Sequence, residues 1–333
     1  MGFEAIVILT GVLVAASCAL VGSFLVLRKL SLVGDAISHT VLLGIVVGAL
    51  IAGSVTGLPT LLGATVVGLL TVALVEAVTR SGLVKEDAAI GIVFPALFAL
   101  GVVLVSRYAG NVHLDVEHVL YGEIAYAPFD TLEVGGVELG PRPLWTLGAI
   151  AALDLLFVLA FYKELKLASF DPGLAAALGL SPAVLHYALM GMVSLTTVGA
   201  FDAVGAILVV AFLIVPPATA YLLTDRLPVM LLLATGAGAL SAVGGYALAR
   251  ALDASIAGSM ATVTGILFAL AFLFSPSHGL VARAVRLARL RREFAHKVAA
   301  LPLAHADGAA VPGPSSEGVP VAATGSPGMD GRS

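Results

Sequence analysis

FEAIVILTGVLVAASCALVGSFLVL, residues 3–27, carries a single charged side chain, Glu4. An apolar run of roughly 20 residues is enough to cross about 30 Å of bilayer hydrocarbon as a helix. Comparable runs recur at residues 31–53, 58–79, 87–106, 144–162, 183–201, 204–223, 228–249 and 256–275, making nine in all. The count falls to eight if the pair flanking Asp202, with Gly199 and Gly205 close by, is one broken or re-entrant element. Of the 333 residues 59% are hydrophobic and only 11% charged, against about 25% charged in an ordinary soluble domain. The expectation is an all-α integral membrane protein, a polytopic bundle of eight or nine spans within residues 1–280. Ala15-Ala16-Ser17-Cys18 faintly resembles a lipoprotein cleavage box, but no basic residue precedes it and the apolar run continues to Leu27, as in a retained span.

Where the basic residues fall matters more than the net charge of −4. Arg28 and Lys29, Arg80 and Lys85, Lys163 and Lys166, Arg226 and the Arg-rich stretch after Ser275 lie at alternate ends of successive runs. Cytoplasmic loops are the ones enriched in Lys and Arg. Nine spans then put the N-terminus outside and the C-terminus in the cytoplasm, with Arg107, Arg142 and Arg250 facing outward against the trend. Residues 281–300 place Arg283, Arg286, Arg289, Arg291, Arg292 and Lys297 among apolar residues at helical spacing. That pattern suits an amphipathic cytoplasmic helix on anionic membrane lipid, and equally a solvated topogenic tail. Residues 301–333 are rich in Pro, Gly, Ala and Ser, and disorder is expected there.

A charged side chain at the bilayer centre costs roughly 2.5–3.5 kcal/mol on insertion scales, so each one inside a span asks for a reason. LRKLSLVGDAISH, residues 27–39, leads into the second run. If that run is helical, Asp35 and His39 are four residues apart and share a face. A carboxylate oxygen and an imidazole nitrogen then reach one ion, and both atom types suit first-row divalent metals. Spacing leaves a second reading open, with Asp35 as a helix-start acid near the positive end and His39 hydrogen-bonded to a neighbour. Asp154, near the middle of the fifth run, and Asp202, at a break between runs, are candidates to line a pathway. Glu76 and Arg80 are spaced for a local ion pair. Pro216-Pro217 is expected to break or kink its helix.

Residues 24–39, FLVLRKLSLVGDAISH, closely resemble the signature of the zinc and manganese ABC permease family. Residues 203–220, AVGAILVVAFLIVPPATA, look like that family's later core helix, and the resemblance covers about residues 3–280. It implies that Asp35 and His39 are metal ligands. A further stretch, residues 161–180, is too polar at its start to span. Asp171 reads as an N-cap with Pro172 in the first turn and Gly179 as the stop. This short helix resembles the family's coupling helix, which receives force from a nucleotide-binding partner. The outward loop offers His113, Asp115, Glu117 and His118, either as outer metal contacts or as solvated charges. Around them, residues 114–122 look more like the manganese or iron branch than the zinc branch.

The resemblance implies a permease subunit of an ATP-driven importer of a divalent transition metal ion, manganese favoured, then zinc or iron. It also implies a bacterial cytoplasmic membrane location, pairing as a homodimer, two copies of an ATP-binding subunit and an extracellular metal-binding protein. The ion is transported substrate, and no permanently bound cofactor or nucleic acid is expected. The chain contains no phosphate-binding G-x-x-x-x-G-K-[ST] loop, so ATP hydrolysis falls to a separate polypeptide. It likewise lacks H-E-x-x-H and G-x-S-x-G, which leaves an intramembrane enzyme without a catalytic set. The alternative is a stand-alone metal transporter driven by an ion gradient, which also uses midplane acids and broken helices.

Overall fold

The computed structural model describes residues 2–52, 58–108, 124–134, 137–275 and 279–299. In chain order the elements begin with α1 (Phe3–Leu27), α2 (Ser31–Ala52), α3 (Leu58–Arg80) and α4 (Glu86–Tyr108). A short 3-10 turn (Ile124–Tyr126) and a hairpin of β1 (Thr131–Val134) and β2 (Val137–Pro141) lead to α5 (Arg142–Ala160). Then come α6 (Tyr162–Phe170), α7 (Pro172–Ala177), α8 (Pro182–Val204), α9 (Ala206–Leu223), α10 (Leu227–Leu252), α11 (Ile256–Phe274) and α12 (Leu280–Ala299). Among the described residues nine helices, α1 to α5 and α8 to α11, are long and apolar enough to span a membrane. Helix is the form demanded here, because hydrocarbon offers nothing to satisfy a free amide or carbonyl.

The two runs around Asp202 form separate helices joined at Gly205, so the nine-span count stands over the eight-span alternative. Gly205 has φ +79°, a backbone conformation open to glycine and strained for most other residues. Of the break or kink expected at Pro216-Pro217, the break is absent: α9 continues through both prolines, and both are buried. The hairpin was also unanticipated. Its register pairs Val134 with Val137, and the sequence between them is Gly135-Gly136, the two-residue signature of a tight hairpin.

α1 is apolar all round, and a helix of that kind belongs inside a bundle. Val7, Val14, Cys18, Val21 and Phe24 are fully buried, and α1 packs against α5, α8, α9 and α10. In hydrocarbon, small residues rather than apolar attraction let helices associate closely. A Cβ on Gly22 would run into the backbone carbonyl of Leu213 on α9. Gly44 and Gly48 of α2 meet Gly63 and the backbone of Ala64 and Thr60 on α3 in the same way. Near the start of α1, Arg250 Nη1 lies 2.6 Å from Glu4 Oε1, tying α10 to α1. Contacts divide the chain into Met1–Ala284 and Val285–Ser333, a boundary that falls inside α12.

Gly22→Leu should lower the thermal midpoint of the detergent-solubilised protein, since overpacking against backbone costs about 1–3 kcal/mol or more. Gly236, with nothing within 4 Å of its Cβ position, provides the control. Gly236→Ala should leave the midpoint unchanged or raise it, because alanine is the better helix former by about 1 kcal/mol.

Candidate functional site

The site begins where α1 stops. Lys29 adopts φ +61°, its amide donates to the Val26 carbonyl at 3.1 Å, and the Leu30 amide donates to Leu25 at 2.9 Å. This is a Schellman closure with lysine, rather than glycine, in the left-handed position. α2 starts at Ser31, which puts Asp35 beyond its first turn and His39 one turn further. The helix-start reading of Asp35 thereby loses its footing.

His39 Nε2 lies 3.6 Å from Asp35 Oδ1. Two ligands about 2.1 Å from a tetrahedral metal stand roughly 3.4 Å apart, so the pair is spaced to grip one ion with little adjustment. Phe94 of α4 stacks on the His39 ring at 5.6 Å and Phe98 meets its edge at 6.4 Å. The imidazole is thus held on the ring side while Nε2 turns toward Asp35. Ser38, buried behind them, donates to the Asp35 carbonyl at 2.6 Å. The two Phe rings were not singled out from the sequence. Their i, i+4 spacing on α4 was visible, but the packing of α4 on α2 was not.

The His39 and Asp35 side chains are 38% and 40% exposed, on a stripe of α2 that also leaves Leu32 and Leu42 partly uncovered. Among the described residues no third His, Cys, Asp or Glu joins them in a group able to hold a metal. Asp154 is fully buried. Its Oδ2 accepts from Thr196 Oγ1 of α8 at 2.8 Å, and its Oδ1 has no partner among the described residues. Asp202 is exposed near the end of α8. His113, Asp115, Glu117 and His118 lie outside the described residues.

At the end rich in basic residues, Asp171 Oδ1 accepts from the Leu174 amide at 2.9 Å and caps α7, with Pro172 following. Gly179 has φ +83°, and the Leu180 amide reaches back to Ala175 at 3.1 Å to close the helix. Only Ala175 of α7 is buried; Leu174, and Leu178 beyond it, are exposed apolar side chains. Sequence anticipated one short helix here, and the structure has a second, α6, before it. Glu76 pairs with Arg80 Nη2 at 2.5 Å and accepts from the Tyr187 hydroxyl, the local role its spacing suggested. Arg28, between α1 and α2, donates from Nε to Ser169 Oγ of α6 at 3.0 Å. Burial holds the Arg28 guanidinium below its usual pKa, because a charge is disfavoured where water is excluded.

The manganese transport system membrane protein MntD of Bacillus subtilis is 53% identical over 293 residues, covering 88% of this chain and 99% of that protein. The zinc transport system membrane protein TroD of Treponema pallidum is 49% identical over 285 residues, 86% of this chain and 77% of that protein. Among solved structures, PsaBC from Streptococcus pneumoniae in complex with Fab superposes with a TM-score of 0.72 at 31% identity, covering 86% of this chain and 96% of that one. An inward-facing ABC transporter of metal-chelate type shares the fold alone, with a TM-score of 0.57 at 22% identity over 80% of this chain and 84% of that one. The ABC 3 transport family matches residues 3–275; this multi-pass membrane chain belongs to that family.

Proposed function

We propose that this chain is the membrane-spanning permease of an ATP-driven importer of a divalent transition metal ion, with manganese the favoured cargo ahead of zinc and iron. The Asp35–His39 pair carries the reading: a carboxylate and an imidazole 3.6 Å apart inside a span, an oxygen and nitrogen set suited to such ions. The manganese lean rests on the relatives' names and their share of identity, since ligand type alone does not choose among these metals. Membership of an ABC family sets aside the gradient-driven alternative.

Two half-exposed polar ligands on the outside of a spanning bundle are costly against lipid. A second copy of this chain packing on the α2 face would cover them and could bring two Asp35–His39 pairs to one ion, up to four ligands. Water completes the shell if the pairs stay apart. Two ATP-binding subunits would then dock on the cytoplasmic side at residues 171–179, where α7 shows its apolar residues. An extracellular metal-binding protein would deliver the ion from the other face, near His113, Asp115, Glu117 and His118. Asp154 and Asp202 remain candidates to line the route. The basic α12 suits the anionic inner leaflet, which supports a C-terminus in the cytoplasm of a bacterial cell.

In the working cycle, ion delivered from outside loses part of its hydration shell to Asp35 and His39. Closure of the ATP-binding pair then displaces α7, and the bundle opens inward.

Asp35→Asn and His39→Ala should each lower cellular manganese uptake by at least roughly tenfold at matched membrane levels, since even the outer-shell partners of metal ligands are worth about 10- to 100-fold. Elemental analysis for manganese, iron and zinc checks this and names the cargo; native accumulation in both variants would remove the pair from the site. Leu42→Cys in a Cys18→Ala background should form disulfide-linked dimers in membranes under mild oxidation. A chain that stays monomeric under those conditions contradicts pairing through α2. Asp171→Ala, which removes a cap worth about 1 kcal/mol, should let ATP hydrolysis continue with less uptake per ATP.

A further inference from the structure

α7 buries Ala175 against Ala168 of α6 and Leu185 of α8, and the rest of α7 is exposed. A push on α7 is therefore received first by α6 and α8. The next residue of α6 after Ala168 is Ser169, whose hydroxyl donates to the Leu165 carbonyl at 2.6 Å while accepting from Arg28 Nε at 3.0 Å. The hydroxyl's single proton is committed to α6, so it is a lone pair that faces Arg28.

On the other side of the bond, Arg28 stands in a turn with no slack. Its amide donates to Phe24 at 3.0 Å, and the Lys29 and Leu30 amides bond back to Val26 and Leu25. The Val33 amide then donates to the Leu30 carbonyl at 3.1 Å, so α2 starts where the α1 closure ends. A hydrogen-bonded turn of this kind transmits displacement rather than absorbing it. Arg28 Nη2 is buried without a partner among the described residues, a costly arrangement that concentrates the side chain's hold on Ser169.

We infer that the Arg28–Ser169 hydrogen bond is the mechanical link through which displacement of α6 and α7 reaches α2 and its Asp35–His39 pair. Arg28 and Ser169 are positioning residues: neither touches the ion. The link rests on the coupling role proposed for residues 171–179, and its test is built to fail separately from that role.

The complete transporter, with its ATP-binding subunits and metal-binding protein, is reconstituted into proteoliposomes with manganese. Three quantities are measured: ions imported per ATP hydrolysed, manganese affinity and thermal midpoint. Ser169→Ala and Arg28→Gln should each import at least roughly tenfold fewer ions per ATP, the scale of losing one hydrogen bond to a charged group. Manganese affinity should stay native, while Ser169→Ala modestly lowers the thermal midpoint, because it leaves the Arg28 guanidinium without its Ser169 partner. The double variant should be no worse than the more affected single one, because both remove the same bond. Native ions-per-ATP in Ser169→Ala overturns the link, as does a loss explained entirely by weaker manganese binding. Asp171→Ala in the same assay separates the two claims. If it uncouples and Ser169→Ala does not, α7 receives the force but passes it elsewhere; if only Ser169→Ala uncouples, the link holds and α7 is not the receiving element.

Discussion

Hydrocarbon supplies no hydrogen-bond partner, and the rest of this structure follows from that constraint. Every backbone amide and carbonyl in a span must be answered within the protein, so the membrane part resolves into helices ended by closures such as Lys29 and Gly205. The same constraint makes each intramembrane polar side chain conspicuous. Hydroxyls turn back on their own helix, as Thr10 does to the Ile6 carbonyl and Ser23 to Ala19. Asp154 accepts from a hydroxyl on a neighbouring helix. Asp35 and His39 face each other at 3.6 Å and remain partly uncovered, which sets them apart from these buried groups and is why they are the proposed ion site.

Packing without a hydrophobic driving force depends on close approach. The glycines that bring α2 onto α3 and α1 onto α9 permit it. α2 is thereby held along one side by α3, while its stripe bearing Asp35 and His39 stays outward, flanked by Phe94 and Phe98 of α4. One helix thus combines a tightly seated face with a partly uncovered one. Its start is joined through Arg28 to Ser169 of α6. The proposed ligand pair on α2 and the proposed force-receiving helix α7 lie on different helices, and the Arg28–Ser169 bond is the connection proposed between them.

The sequence by itself determined the extent of the apolar runs and limited the spans to eight or nine, because a run of about 20 apolar residues has few alternatives to a membrane helix; the separate helices on either side of Gly205 decided for nine. It also placed the α7 cap at Asp171 and its stop at Gly179, since capping depends on neighbours in the chain. The i, i+4 spacing of Asp35 and His39 was legible for the same reason: helical geometry alone puts them on one face. What surrounds that face was not legible. The stacking of Phe94 on His39, the burial of Asp154 against Thr196, and the bond from Arg28 to Ser169, residues 141 positions apart, join segments that no local period relates. Local spacing fixes which side chains share a helix face; only the packing of helices, set by close contacts such as Gly22 on Leu213, decides what that face meets.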